Sequence, residues 1–214
     1  MMVPVAHEPL RNPFCTRSIR AGRIPSLDAS GRPVNPADML AALERLDGAA
    51  ALVGPHGSGK STLLWHIAGA LEARGQRVER VRLHRRWDLV SLVRAVVRGA
   101  GGGTVCVDSW ERLGRPWADA VRWFARACGA RLLVTAHGPG PLPTLWACRT
   151  SPALLAAIVA QLPNGGGLVA PQREQQIEEA FRRAAGDIRE ALFLLYDRFE
   201  EQTRARRPAR PHGT

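Results

Sequence analysis

The sequence predicts an α/β fold in which a parallel β-sheet is flanked by helices and followed by a small, all-helical C-terminal region. Over residues 49–135, short apolar runs typical of buried strands alternate with longer segments whose apolar residues recur at helical spacing. Because parallel strands require a crossover between them, this alternation favours a parallel sheet. After about residue 150 only helical patterns remain.

The predicted elements begin with a short helix that runs to Leu46, with Asn35 as its N-cap and Pro36 at its first position. Strands and helices then alternate. The strands are predicted at 49–53, 77–83, 104–107 and 131–135, and the helices between them at 60–73, 87–97 and 116–128. A short strand at 145–147 follows. The charged residues that alternate with apolar ones in 77–83 place that strand nearer the sheet edge.

These patterns divide the chain into four predicted regions. Residues 1–35 are rich in Pro, Arg and Gly and form an extended N-terminal arm with little regular structure. Residues 36–150 form the α/β core. Residues 151–203 form a helical lid, with helices at 152–162, 172–185 and 188–203. Residues 204–214 form a basic, disordered tail.

The composition is that of an ordinary globular protein. Of the 214 residues, 45% are hydrophobic and 23% are charged, which allows one domain with a packed core. No run approaches the ~20 apolar residues that cross a bilayer, and residues 1–10 lack the apolar core of a secretory signal. We therefore expect a cytoplasmic protein without membrane insertion. The cysteines form no C-x-x-C pair, so neither a zinc site nor a disulfide framework is predicted; they are Cys15, Cys106, Cys128 and Cys148.

The chain is strongly basic, with a formal net charge of +11 and a sequence pI of about 11.2. Such a balance suggests a nucleic-acid or acidic protein partner, contacted through the basic surface and tail. The alternative is a solvated basic face with a disordered tail. Two arginine clusters carry this charge: Arg82, Arg85 and Arg86, and then Arg204, Arg206, Arg207 and Arg210. Lys60 is the only lysine in the chain.

That lysine belongs to a glycine-rich loop between a predicted strand and a predicted helix. Residues 54–61 match Gly-x-x-x-x-Gly-Lys-Ser, the Walker A pattern of P-loop NTPases. The loop residues predicted to bind nucleotide are Gly54, Pro55, His56, Gly57, Ser58, Gly59, Lys60, Ser61 and Thr62. Backbone N–H groups of such a loop form a nest around phosphate oxygens, and the following helix points its positive end at the same anion.

Side-chain roles follow from this spacing. Lys60 reaches the β- and γ-phosphates, the Ser61 hydroxyl is a ligand for Mg²⁺, and Thr62 lies at the α-phosphate side. The sequence therefore predicts a protein that binds ATP and Mg²⁺. Guanine specificity is not expected, because no Asn-Lys-x-Asp segment is present.

A carboxylate predicted at the end of another strand completes the metal site. The run 105–108 resembles a Walker B strand, and its final residue, Asp108, would reach the carboxyl edge of the sheet and hold Mg²⁺ through water. Ser109 stands where many ATPases carry a catalytic Glu. Glu111 is the candidate base, with a solvated first-turn role as the alternative. Thr135 or His137, at the end of the next strand, would lie near the γ-phosphate and sense it or position water.

Residues 186–192, Gly-Asp-Ile-Arg-Glu-Ala-Leu, resemble a segment in the lid of the AAA+ branch of P-loop ATPases. The resemblance implies that Arg189 is the sensor 2 arginine at the γ-phosphate and that Thr135 occupies the sensor 1 position. It also implies that residues 151–203 form the lid, and that Phe14, in Asn-Pro-Phe, packs against the adenine. A surface arginine opposite Glu190 is the alternative for Arg189.

The function favoured by these features is a Mg²⁺-dependent ATPase of AAA+-like type that acts as a nucleotide switch, with an oligomer possible. Alternatives are a nucleic-acid-associated ATP-binding adaptor and a small P-loop kinase. An ABC-type ATPase subunit is the least favoured, because no Leu-Ser-Gly-Gly-Gln-like signature precedes Asp108.

Overall fold

The computed structural model describes residues 12–15, 24–46, 48–85, 88–168 and 172–205. In this part of the chain, five strands form one parallel sheet in the order β2-β3-β4-β1-β5. The strands are β1 (Ala49–Val53), β2 (Val78–Arg82), β3 (Thr104–Asp108), β4 (Arg131–Ala136) and β5 (Thr144–Ala147). The predicted α/β class with a parallel sheet is confirmed, as is the edge position of the second strand.

The helices of the described residues agree closely with the sequence patterns. They are α1 (Pro36–Glu44), α2 (Lys60–Ala73), α3 (Asp88–Arg98), α4 (Arg115–Ala127), α5 (Pro152–Ala160), α6 (Gln172–Arg183) and α7 (Ile188–Ala205). Two short 3₁₀ turns, Trp110–Leu113 and Pro163–Gly167, were not predicted. No helix in these ranges has both the length and the apolar character to cross a membrane.

The sheet separates two apolar layers. Successive side chains of a strand point to opposite faces, so Val105 and Val107 of β3 pack with α3 and α4, while Cys106 between them packs with α1 and α2. All of β3 is buried, which explains its unbroken apolar run. Burial raises the pKa of the Cys106 thiol to about 12, so Cys106 is one of the small apolar residues of this layer.

A third apolar cluster holds the helical region together. Helices α5, α6 and α7 contribute its buried residues, including Leu155 and Leu195. Ser151 begins α5 as an N-cap, because its hydroxyl accepts the backbone N–H of Leu154. Helix α7 continues to Ala205, two residues past its predicted end, and the rest of the predicted tail, 206–214, lies outside the described residues.

Described parts of the N-terminal arm pack on this third cluster. Phe14 is 1% exposed within it, and Ile24 and Leu27 pack against it. A single antiparallel bridge joins Leu27 to Pro33, around a turn in which the Asp28 carboxylate accepts backbone N–H groups. The arm therefore contributes to the core although its described residues contain no helix or strand. The boundaries proposed for arm, core, lid and tail stay predictions.

Strand order brings three loop ends to one edge. Strand β4 lies between β1 and β3, so the end of β4 separates the glycine-rich loop after β1 from Asp108 at the end of β3. All strands are parallel, and their carboxyl ends therefore meet on one side of the sheet. Because β3 and β4 are paired, Thr135 near the end of β4 lies beside Asp108 at the end of β3.

Candidate functional site

Glycines shape the loop that follows β1 because side chains would not fit. Gly57 has φ +69°, and a Cβ there would overlap the carboxylate of Asp187. A Cβ on Gly54 would overlap the carbonyl oxygen of Cys148. Gly59 has φ +82° and immediately precedes α2, so the chain enters the helix from a left-handed conformation that favours glycine. The loop is thus packed between β5 and the start of α7.

Lys60, the first residue of α2, folds back over this loop. Its Nζ donates to the carbonyl oxygens of Gly54 at 2.8 Å and Pro55 at 2.6 Å. Burial lowers the pKa of Lys60, and nearby ionisable groups that include Glu111 and Asp108 oppose that change. The ammonium is therefore poorly hydrated and lies inside the loop, where an anion would stabilise its charge.

Asp108 is the centre of a hydrogen-bond network at the sheet edge. Its Oδ1 accepts the hydroxyl of Ser61 at 2.8 Å and that of Thr135 at 2.8 Å. Thr135 Oγ1 in turn accepts the backbone N–H of Ser109 at 2.8 Å. Asp108 and Thr135 are both buried, so these bonds fix the carboxylate before any ligand arrives. Ser109 has φ 69°, a left-handed conformation that is uncommon for a residue other than glycine.

The other oxygen of Asp108 has a partner that the sequence did not reveal. Arg82 Nε donates to Asp108 Oδ2 at 2.9 Å, and the two residues are directly paired in the β2–β3 register. The sequence grouped Arg82 with Arg85 as basic surface. Only its position at the end of a strand beside β3 could have indicated the contact, and strand order is not readable from local pattern.

Glu111 and the end of β4 are linked by a second, more exposed group of side chains. The carboxylate of Glu111 lies 2.9 Å from His137 Nε2. The His137 ring stacks in a tilted arrangement on His56 of the loop, with ring centroids 4.0 Å apart. Glu111 comes from the 3₁₀ turn after β3, which directs it back toward the loop.

These side chains line a cleft of about 680 Å³ between the sheet edge and the helical region. Lys60, Asp108 and Thr135 line one side, and α7 provides Arg189 on the other. The Arg189 guanidinium lies 5.8 Å from the ring centroid of Phe193. Gly54 and Pro55 do not line the cleft, but their carbonyl oxygens accept hydrogen bonds from Lys60, which does. The other predicted loop residues all line it: His56, Gly57, Ser58, Gly59, Ser61 and Thr62.

The predicted contact between Phe14 and a base is not supported by this arrangement. Phe14 is buried beside Val159 and Gly166 in the helical cluster and does not line the cleft. Residues 24–27 line it instead, and among them the Ser26 hydroxyl lies 2.7 Å from His66 Nδ1. Phe14 is therefore a core residue of the helical region, because an aromatic side chain suits a core as well as a base pocket.

The donor atoms at the sheet edge fit Mg²⁺. Ser61 and Asp108 offer hard oxygen ligands at adjacent positions, and Mg²⁺ is commonly held by one or two such ligands together with phosphate oxygens. Across the described ranges, no group of three or more His, Cys, Asp and Glu residues is arranged to hold a metal. The donor set therefore suits a metal that arrives with a phosphate.

Comparison with known proteins adds little to this geometry. No protein-family model matches the chain, and no curated protein matches its sequence. A solved structure, "Structure of C. elegans PCH-2", is similar with a TM-score of 0.45 and 12% sequence identity, over 78% of this chain and 67% of that one. At this TM-score and identity, the likeness identifies neither a family nor an activity for the chain.

Proposed function

We propose that this protein binds ATP with Mg²⁺ and hydrolyses it, and that the bound nucleotide sets the position of the helical region against the sheet. It would then be an AAA+-like ATPase that works as a switch. One observation carries the proposal. The buried Lys60 ammonium and the bonded set of Ser61, Asp108 and Thr135 lie on one cleft that also contains Arg189.

Phosphate binding follows from the loop and the start of α2. The loop offers backbone N–H groups, and α2 directs the positive end of its dipole into the same space. Lys60 would exchange the carbonyls of Gly54 and Pro55 for phosphate oxygens, which replaces neutral acceptors of its charge with anionic ones. Each of these groups attracts an anion, and together they could bind several phosphate oxygens of one polyphosphate.

Metal binding uses the same edge. Bound Mg²⁺ would neutralise charge on the β- and γ-phosphate oxygens. Ser61 donates its proton to Asp108 and keeps its lone pairs, so Ser61 would hold Mg²⁺ directly and Asp108 would hold it through water. Thr135 holds the Asp108 carboxylate from the β4 side, and it would sense the phosphate through that carboxylate.

The attacking water requires a base, and Glu111 is the candidate on this cleft. Ser109 has no carboxylate, so the usual position for a base is not available here. His137 holds Glu111 by the 2.9 Å contact and orients it toward the loop. Replacing Glu111 with Gln should keep nucleotide binding and lower turnover about 100-fold or more, the range of general-base losses. Unchanged turnover in this variant would remove Glu111 from the mechanism.

The switch depends on how α7 begins. Asp187 caps α7 by accepting the backbone N–H groups of Arg189 and Glu190, and it lies directly against Gly57 of the loop. A change in the loop is thereby passed to the first turn of α7. Arg189, in that turn, would pair with the γ-phosphate and hold the helical region closed, as the resemblance to AAA+ lids implies.

The test is nucleotide affinity and phosphate release for the wild type and three variants. A fluorescent ATP analogue measures affinity, and free phosphate measures turnover. Lys60→Ala should lose affinity by about 100-fold, since charge-assisted bonds are removed. Asp108→Asn should keep part of the affinity and lose Mg²⁺ dependence. Arg189→Ala should lower turnover about tenfold with a smaller change in affinity.

Arg182→Ala is the matched control, because Arg182 is exposed on α6 and does not line the cleft. It should behave as the wild type. A wild-type protein that shows no saturable binding of the analogue would overturn the proposal. Binding without phosphate release, but with transfer to a small acceptor, would favour the kinase alternative instead.

A further inference from the structure

Arg82 holds the oxygen of Asp108 that neither Ser61 nor Thr135 contacts. The bond from Nε to Oδ2 is 2.9 Å, and the side chains are 47% and 7% exposed respectively. Lys60, another cation on this cleft, donates to carbonyls of its own loop. In the structure as it stands, Arg82 is therefore the cation that directly pairs with Asp108.

The ion pair is built into the sheet. Arg82 and Asp108 are the last paired residues of β2 and β3, directly opposite in a parallel register. A carboxylate as buried as Asp108 is strongly destabilising without a compensating charge, and Arg82 supplies that charge from the solvent side. The same carboxylate is the one that the proposed function assigns to Mg²⁺.

Two cations cannot share this carboxylate without strong repulsion. Like charges a few ångströms apart near a protein surface repel one another, and a divalent metal doubles that repulsion. Arg82 must therefore leave Oδ2, or move well away from it, when the hydrated metal is held there. The ion pair and the metal are alternatives at one oxygen.

Arg82 also contacts a tryptophan, which offers its side chain a position away from Asp108. The guanidinium carbon of Arg82 lies 5.8 Å from the ring centroid of Trp65 on α2. Arg80 lies 6.0 Å from the same ring and pairs with Glu72 at 2.8 Å. An Arg82 side chain that releases Asp108 keeps its cation–π contact with Trp65, and its guanidinium becomes better hydrated. The free energy needed to release Asp108 is therefore small.

We propose that Arg82 is the resident counter-ion of Asp108, which Mg²⁺ must displace, and that Arg82 thereby sets how much Mg²⁺ the nucleotide site requires. The inference rests on the proposed function, because it concerns the metal of that site. Arg82 is a positioning residue here: it acts on Asp108 and makes no contact with the reacting atoms.

The test is the Mg²⁺ concentration that gives half-maximal binding of a fluorescent ATP analogue at fixed protein. Arg82→Gln should need about three- to tenfold less Mg²⁺ than the wild type, since a competing partially exposed ion pair is gone. The thermal midpoint of Arg82→Gln without metal and nucleotide should fall, because Asp108 loses its counter-ion. An equal or higher Mg²⁺ requirement in this variant overturns the inference.

Arg80→Gln is the matched control on the same strand. It removes a guanidinium from Trp65 and Glu72 but touches nothing at Asp108, so its Mg²⁺ requirement should equal that of the wild type. Arg82→Lys keeps the charge and should move the Mg²⁺ requirement less than Arg82→Gln does. A shift as large in Arg80→Gln as in Arg82→Gln would show a general charge effect and sink the proposal.

Tryptophan emission gives an independent readout. Mg²⁺ with unlabelled ATP should change the emission of the wild type through Trp65 and through Trp146, which lines the cleft. The Trp65 part of that change should be lost in Trp65→Phe and in Arg82→Gln, whereas the Trp146 part should remain in both. If the wild type binds no triphosphate at any Mg²⁺ concentration, the proposed function falls and this inference with it. If binding is Mg²⁺-dependent and identical in Arg82→Gln, only the role of Arg82 is wrong.

Discussion

The two sides of the cleft are built in different ways. On the sheet side, hydroxyl and carboxylate groups are buried and bonded to one another, and Asp108 joins residues 27 and 47 positions distant in the chain. On the helical side, the lining is mostly apolar, with an exposed Arg189 lying over Phe193. One side is fixed by strand register, whereas the other is fixed by the packing of helices upon themselves.

This difference assigns separate tasks to the two sides. A carboxylate held by buried bonds is preorganised for charge chemistry, because little rearrangement remains to be done when a ligand binds. Under the proposed function, the exposed Arg189 guanidinium, which lies over the Phe193 ring, would reorient toward a phosphate. The junction between them is narrow, where Asp187 at the start of α7 meets Gly57 of the loop.

Replacing Phe14 should have the largest effect on stability. It should disturb the packing of the helical region and leave the sheet side unchanged. Phe14→Ala deletes a ring that is 1% exposed in the third cluster, and the cavity should lower the free energy of unfolding by about 3–5 kcal/mol. Affinity for the ATP analogue should change less than about threefold below the melting range, because the ring does not line the cleft. Chemical denaturation and analogue titration provide the measurements.

Phe193→Ala is the matched control for that experiment. Phe193 is 40% exposed and lines the cleft, so it should cost far less stability and disturb nucleotide binding more. If Phe14→Ala were instead to lose affinity while keeping its stability, the adenine contact expected from the sequence would be correct and the separation of core from cleft would be wrong.

Gly57→Ala tests the junction between the loop and the start of α7, and it should give the next largest loss of stability. The new methyl group meets the Asp187 carboxylate and also occupies a residue with φ +69°. We expect the free energy of unfolding to fall by about 2–3 kcal/mol, the cost of the left-handed conformation plus overpacking.

Gly59→Ala separates those two costs in the same denaturation measurement. Gly59 also has a positive φ, but nothing lies within 4 Å of its added Cβ, so only the conformational cost of about 1 kcal/mol remains. Equal losses in the two variants would show that the loop accommodates a methyl group beside Asp187 without cost, so that the junction is not tightly packed.

Thr135→Val should disrupt the hydrogen-bond network on the sheet side of the cleft, with a smaller loss of unfolding free energy. The variant keeps the shape of the side chain but removes a donor to Asp108 and an acceptor for the Ser109 N–H. Two buried polar groups lose a partner, which should cost about 1–3 kcal/mol of unfolding free energy. Thr135→Ser should recover most of it, since the hydroxyl returns. A neutral Thr135→Val would mean that Ser61 and Arg82 alone hold the carboxylate.

The smallest stability effect is expected for His137→Ala. The contact between His137 and Glu111 is about one third exposed on both sides, and such pairs contribute roughly 0–1 kcal/mol. Turnover should fall nonetheless, because Glu111 loses the ring that orients it. Phosphate release and denaturation, measured on the same preparation, test this separation. A stability loss with unchanged turnover would assign the pair a structural role only.

Local sequence patterns predicted most of the secondary structure. Helix α2 and strand β1 have the predicted bounds, and the other elements differ by a few residues at their ends. The reason is that burial on one or both faces leaves a period in the sequence, and glycine or proline marks where it stops. The glycine-rich loop is as readable, because its backbone conformation restricts which residues fit.

The positions of side chains on the cleft were predictable where a motif defines them and not where strand pairing defines them. Lys60, Ser61 and Asp108 follow from spacing along the chain. The contact of Arg82 with Asp108 and the burial of Phe14 do not, since each depends on which distant elements lie side by side. The turn that carries Glu111 was also unforeseen.

By itself, the sequence determined a parallel α/β protein with a glycine-rich loop between β1 and α2, because backbone geometry and burial leave local signatures. Only the tertiary structure decided which side chains surround Asp108 and which arm residues line the cleft. Such contacts arise from the order β2-β3-β4-β1-β5 and from the packing of α7 on the loop. These are long-range choices that depend on the whole fold, and local periodicity does not record them.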